Sequence, residues 1–160
     1  MNKIVIIGCP GAGKTAFARK LSDSIGIELY HLDMIWHRPD KTHISREEFD
    51  ETLGCLLAKD SWIVDGNYLR TMERRILAAD TVFFFDLPTE ICLRGATERL
   101  GRDRSDIPWS DNELDPTFKL EIEHFSATVT PKIYELLDKY KCGREVIIFK
   151  TREETNEYFN

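Results

Sequence analysis

Five short apolar runs punctuate the chain: Lys3–Ile7, Ile27–Tyr30, Trp62–Asp65, Thr81–Asp86 and Glu145–Phe149. They are rich in Ile, Val and Phe and lack strict alternation, so they read as strands covered on both faces. Between them, apolar positions recur at helical spacing. Thr15–Ile25 carries Phe17, Ala18, Leu21 and Ile25, with Gly26 placed as a C-terminal cap. Ser45–Lys59 opens on Ser45 with Glu48 three positions later, a capping-box signature. Arg70–Ala78 and Thr89–Leu100 follow the next two strands, the second just after Pro88. The longest pattern, Thr117–Tyr140, aligns Phe118, Ile122, Phe125, Val129, Ile133, Leu136 and Tyr140 along one helix face. Pro131 falls inside it and is expected to kink or interrupt the helix. Strand–helix alternation from end to end predicts a three-layer α/β/α sandwich around a mainly parallel five-stranded sheet.

At 160 residues one domain spanning 1–160 is expected, large enough to bury its own core. With 42% hydrophobic and 31% charged residues, the composition is globular and not that of a disordered chain. The net charge of −6 supplies no global field for nucleic acid, so nucleic-acid partners are not expected. The longest apolar stretches, Ile4–Ile7 and Val82–Phe85, are far too short to span a bilayer. Cys9, Cys55, Cys92 and Cys142 form no C-x-x-C pair, which suits reduced thiols. Together with a strand that starts directly after Met1-Asn2, this leads us to expect a cytoplasmic protein without a leader.

One motif carries definite chemistry. Gly8-Cys9-Pro10-Gly11-Ala12-Gly13-Lys14-Thr15 fits G-x-x-x-x-G-K-[ST], the phosphate-binding loop. Glycines let backbone N–H groups approach phosphate oxygens, and the following helix points its positive end at the same anion. Lys14 is placed to reach β- and γ-phosphates, and the Thr15 hydroxyl to ligate Mg²⁺. With Gly near 7% of residues, chance alone yields the bare pattern in on the order of one chain in a few hundred. Here it also lies between a strand and a helix, the required context. ATP and Mg²⁺ are therefore the expected cofactors, bound by Gly8, Pro10, Gly11, Ala12, Gly13, Lys14, Thr15 and Ala16.

Three carboxylates stand at strand ends, where an open parallel sheet faces its ligand: Asp33, Asp65 and Asp86. Asp65, followed by Gly66, is favoured as the metal-side group acting through water, and Asp33 as the acceptor-side group. Arg94, Arg99, Arg102 and Arg104, with Gly101 to bend the chain, suggest a mobile lid over about 99–112 that stabilises the transferring phosphoryl group. The plainer alternative is a solvated face in which Glu98 and Asp103 pair with these arginines. The four histidines show no metal spacing and receive no role. Cys9 is read as a small residue at a variable loop position.

The loop resembles that of adenylate kinase-like P-loop kinases. Val64-Asp65-Gly66-Asn67-Tyr68 with Arg70-Thr71 resembles their Asp-Gly-Phe-Pro-Arg-Thr element, and Phe85-Asp86-Leu87-Pro88 a further strand-end signature. Tyr30-His31-Leu32-Asp33, Trp62–Tyr68 and Pro131–Leu137 are similar to the adenylate kinase-related group labelled DNA topology modulation proteins. The resemblance implies a nucleotide kinase-like fold with an acceptor-side insert at about 33–61. It places Asp33, Gly66, Asn67 and Arg70 on the acceptor, Lys14 with Asp33, Arg99, Arg102 and Arg104 in catalysis, and Lys150 and Arg152, with Arg94, on the donor nucleotide. Arg70 stands one position later than in true adenylate kinases, and the insert is short for a full nucleoside-monophosphate domain. AMP and a small metabolite, as in shikimate or gluconate kinases, are both open as acceptors. The expected activity is thus phosphoryl transfer from ATP-Mg to a small hydroxyl- or phosphate-bearing acceptor. The rivals are an ATP-binding regulator linked to DNA topology and a nucleotide hydrolase or sensor.

Overall fold

Strand β1, Lys3–Gly8, puts Ile4, Val5, Ile6 and Ile7 wholly out of water, as an unalternating run requires. In the computed structural model, which describes residues 1–160, it is the centre of a five-stranded sheet. The other strands are β2 Leu29–His31, β3 Trp62–Asp65, β4 Thr81–Phe85 and β5 Glu145–Phe149, in the order β2-β3-β1-β4-β5. Every pairing is parallel, so the sheet is more uniform than the mainly parallel one expected. The register aligns Ile6 with Asp65 on one side and Gly8 with Phe85 on the other, so the strands' carboxyl ends open at a common edge.

Helices cover both faces: α1 Lys14–Ile25, α2 Leu32–Trp36, α3 Arg46–Leu57, α4 Leu69–Ala78, α5 Thr89–Glu98, α6 Pro116–Thr128, α7 Thr130–Tyr140 and α8 Arg152–Glu157. The capping box at Ser45 and Glu48 opens α3 as the sequence predicts. The long pattern at 117–140 is two helices, with Val129 between α6 and α7. Pro131 lies in the first turn of α7, where its missing N–H costs nothing, so it begins a helix instead of kinking one. Two short helices escape the periodicity argument. For α2, five residues are too few for a pattern. For α8, the signal was a second capping box, Thr151 with Glu154.

The core is continuous across the sheet. Phe17 on α1 meets Phe83, Phe85 and Phe149 at 5.0–5.4 Å and tilted angles, and Tyr158 and Phe159 close over it from the chain's end. No helix is long and apolar enough to cross a membrane.

Candidate active site

The loop between β1 and α1 lies at the open edge of the sheet. Gly13 stands at φ +96° with open space where a Cβ would project, so the loop turns its backbone toward solvent-filled volume. Gly11 is different. A Cβ there would lie 2.0 Å from the Cys92 carbonyl, and one on Gly95 would lie 2.0 Å from the Gly11 carbonyl. The phosphate loop is therefore interlocked with α5 backbone to backbone. Gly8, Gly11 and Ala12 are buried; Pro10 and Ala16 line cavities beside the loop. Cys9 is buried, and its hydrogen bond with Cys92, aided by burial, pushes its thiol up, so it is held as thiol and not thiolate.

Lys14 donates to the Cys9 carbonyl at 3.0 Å and faces the cleft. Burial pulls its ammonium below the ordinary value, with the Asp65 charge as the main opposing influence. The Thr15 hydroxyl lies 3.1 Å from Asp65 Oδ2 and 3.3 Å from Asp106 Oδ2. Asp65, only 6% exposed at the end of β3, also meets His31 Nδ1 at 3.0 Å. One hydroxyl and two carboxylates thus surround one point beside the phosphate loop, a hard-oxygen set that suits Mg²⁺ shared with phosphate oxygens. No three His, Cys, Asp or Glu side chains form a metal cage on their own.

Asp33 sits on the first turn of α2, half-buried beside the same cleft. Burial raises its carboxyl above the ordinary value, and the Tyr68 hydroxyl, donating at 2.6 Å, opposes that rise. Tyr68 precedes α4 in a left-handed conformation, φ +37°, unusual for a residue with a Cβ. The conformation is held by Arg75, wholly buried on α4, which donates to the carbonyls of Gly66 (2.8 Å), Asn67 and Tyr68 (3.2 Å). Burial brings that guanidinium down to about 9. Asn67 exchanges two hydrogen bonds with the backbone of Gly8, 3.0 and 2.8 Å, tying the end of β1 to the β3–α4 loop.

Three cavities run together along this edge. A space of about 320 Å³ beside the start of α1 touches Gly11, Gly13, Ala16, Arg102 and Arg152. The central cleft of about 220 Å³ holds Lys14, Thr15, Asp33, Asp65, Gly66 and Asn67. Beyond it lies a space of about 530 Å³ between α2 and the 99–115 segment, walled by Trp36, Tyr68, Trp109 and Phe118. Arg99 and Arg104 line all three. Arg104 makes a two-pronged pair with Asp106 at 3.0 and 2.8 Å. Burial would raise the Asp106 carboxyl, but that pairing outweighs it and holds the carboxyl below its ordinary value. Arg99, lowered chiefly by burial, keeps a buried Nε with no partner. An unsatisfied guanidinium facing the junction fits a phosphate group there.

The fold also separates residues that the sequence reading grouped. Arg70 donates to both oxygens of Asp50, at 3.0 and 2.6 Å, on the outer side of α4, and lines none of the three cavities. Arg94 is exposed on α5 away from the cleft, because the inner face of that helix is Cys92, Gly95 and Ala96. Lys150 is held by Asp86 and Tyr134 behind β5. Asp86 is thereby engaged outside the cleft as well. Arg152 lies beside the loop, its guanidinium 3.5 Å from the Gly11 carbonyl. Residues the sequence reading left without roles complete the site: His31, Tyr68, Arg75 and Asp106. For Arg75 a signal existed, since it shares the apolar face of Met72 and Ile76.

No protein-family model matches the sequence, and no curated protein proved similar to it. Solved structures do resemble it. Shikimate kinase from Acinetobacter baumannii in complex with shikimate aligns with TM-score 0.60 and 14% identity over 99% of this chain and 91% of its own. Shikimate kinase from Bacteroides thetaiotaomicron gives 0.58 and 12%, over 96% and 92%. This chain has the fold of the small P-loop kinases. A gluconokinase from Sinorhizobium meliloti 1021 repeats the likeness at 0.55 and 12%, over 98% and 86%. The α/β architecture read from the sequence is therefore that of known kinases, at an identity that speaks for fold alone.

Proposed function

We propose that this protein is a phosphotransferase that moves a phosphoryl group from ATP-Mg to a hydroxyl on a small acceptor. One observation carries the reading: the phosphate loop does not open to bulk solvent alone but to a second, aromatic-walled cavity of about 530 Å³, with Asp33 between the two. A hydrolase needs room only for water. The fold shared with shikimate kinases and a gluconokinase supports the same class. The Asp65–Tyr68 and His31–Asp33 elements favour, within that class, the adenylate kinase-related group.

ATP-Mg supplies the activated γ-phosphoryl group and much of the charge neutralisation. The protein's own work is positioning. Lys14 leaves the Cys9 carbonyl to donate to the phosphates, and the loop amides hold them in line. Asp33 orients the acceptor hydroxyl and takes its proton as the new O–P bond forms and the bond to the β-phosphate oxygen breaks. Arg99 and Arg104 face the oxygens on which charge accumulates, and Arg102 and Arg152 flank the donor. Thr15 and Asp65, the latter through water, hold the metal side, with Asp106 beside them.

The test is binding followed by turnover. Calorimetry of ATP-Mg should show a site that Lys14→Ala weakens about 10–100-fold, the worth of a charge-assisted contact. The variant should melt no lower than wild type, because Lys14 is desolvated in the empty protein. Unchanged affinity would remove the nucleotide site from this loop.

A further inference from the structure

The third cavity is walled by flat side chains and rimmed by carboxylates. Trp36, one wall, is locked by His43 stacked at 4.4 Å and by Phe49 edge-on at 5.5 Å, so that wall is preformed. Trp109 is similarly held, its indole N–H donating to Asp111 at 3.1 Å. Five carboxylates face the space: Asp33, Asp111, Glu113, Asp115 and Glu121. Against them stand three cations, Lys41, Arg99 and Arg104, and the imidazole of His37, edge-on to Trp109 at 4.9 Å.

Each of those cations has another task. Lys41 lies 3.5 Å from Asp111. Arg104 is taken by Asp106. Arg99 stands over the junction where the phosphoryl group passes. Arg70, expected on an anionic acceptor group, is turned away onto Asp50. Glu113 and Glu121, by contrast, have no ion-pair partner.

Resting on the phosphotransferase reading, we infer that the acceptor is a flat, hydroxyl-bearing molecule that carries an amine and no carboxylate or phosphate. An acid entering this space meets five carboxylates, and the one cation there without an ion-pair partner, Arg99, stands at the junction end that the phosphoryl group uses, so the acid's lost hydration is not repaid. An ammonium group meets the unpaired carboxylates Glu113 and Glu121 and aromatic walls of the kind that already hold the Lys41 ammonium 5.6 Å over Trp109, and both attract a cation. The ring of such a molecule lies between the Trp36 and Trp109 walls, with its hydroxyl toward Asp33. The acids for which the structural neighbours are named are then poor acceptors here.

The test compares two probes that share a phenol ring and differ in the charge of a short arm, tyramine and 4-hydroxyphenylacetate. Each is titrated calorimetrically into the full chain with Mg²⁺ and a non-hydrolysable ATP analogue. Tyramine should bind at least about tenfold tighter. In the double variant Glu113→Gln/Glu121→Gln that preference should shrink at least about threefold, with melting unchanged because both side chains are exposed. Equal or tighter binding of the acid, no tyramine binding up to ~10 mM, or an unchanged preference in the double variant would each overturn the acceptor class. The parent reading is tested apart from it, by the ATP-Mg titration. Binding of ATP-Mg with a preference for the acid refutes the acceptor class alone, and absence of ATP-Mg binding refutes both.

Discussion

Asp33 is half-buried and in no ion pair, and desolvation makes its carboxyl keep a proton to higher pH than in the unfolded chain, where the value is near 3.8. Between those two values the native state binds more protons. Stability is therefore full below the window and falls as pH rises through it. Wherever Asp33 is ionised it costs the empty protein stability, and its single hydrogen bond from Tyr68 offsets only part of that. Asp33→Asn should accordingly raise the melting temperature near pH 7, by about 2–4 °C for each kcal/mol regained. It should also flatten the decline of stability that sets in as pH rises past the unfolded value near 3.8, and abolish turnover. A lower melting temperature at pH 7 would show that Asp33 is a structural anchor. Asp65 has a different setting, with Thr15 and His31 both in contact with its Oδ2. The same kind of conflict is resolved differently at Arg75, which satisfies three loop carbonyls and so fixes the strained Tyr68 that reaches Asp33.

Among the elements, α5 and the segment after it decide how well the phosphate loop is held. Gly95 is a poor helix former, and Ala in its place would ordinarily stabilise the helix by up to about 1 kcal/mol. Here the added Cβ would lie 2.0 Å from the Gly11 carbonyl, a backbone atom that cannot move without distorting the loop. Overpacking of about 1–3 kcal/mol outweighs the propensity gain. Gly95→Ala should therefore lower both the melting temperature and ATP-Mg affinity; a variant that gains stability and binds normally would show the interlock to be dispensable. The segment 99–112 leaves α5 as irregular chain pinned at its base by the Gly101 amide donating to the Asp111 carbonyl at 2.7 Å. Its interior holds few backbone hydrogen bonds, which marks it as easily opened. Hydrogen exchange across Leu100–Asp111 should slow when ATP-Mg is added, because Arg99 and Arg104 then gain phosphate partners. Exchange rates indifferent to nucleotide would make the segment ordinary surface.

For the molecule as a whole, the net charge of −6 combines with the pairing of its cations. Lys59, Arg70, Lys139, Lys141 and Lys150 each face a carboxylate, so their positive charge is locally matched. Duplex DNA should not bind appreciably at 0.15 M ionic strength, where the Debye length is about 8 Å. Fluorescence anisotropy with a labelled duplex measures this directly, and a submicromolar, salt-dependent Kd would revive a role on DNA. The parallel sheet opens its strands' carboxyl ends at one edge, where Lys14, Thr15, Asp33 and Asp65 line a common cleft.

What the chain determined by itself is local. Unalternating Ile, Val and Phe runs separated by helical patterns leave a two-sided parallel sheet as the way to bury them, and the observed strands fall where those runs are. Gly8 to Thr15 carries its conformation in its own glycines, so its place between β1 and α1 could be read without any partner. The direction of a long side chain is not local. Arg70, Arg75 and Arg99 are alike on paper, yet one lies outside on Asp50, one is buried under the β3–α4 loop, and one lines the cleft. Helix phase and neighbouring elements sort them, at distances that no sequence spacing encodes. The same holds for Thr15, Asp65 and Asp106, which lie 50 and 91 residues apart from the first to the others and meet within 3.3 Å only because strand order and the 99–112 segment bring them to one edge.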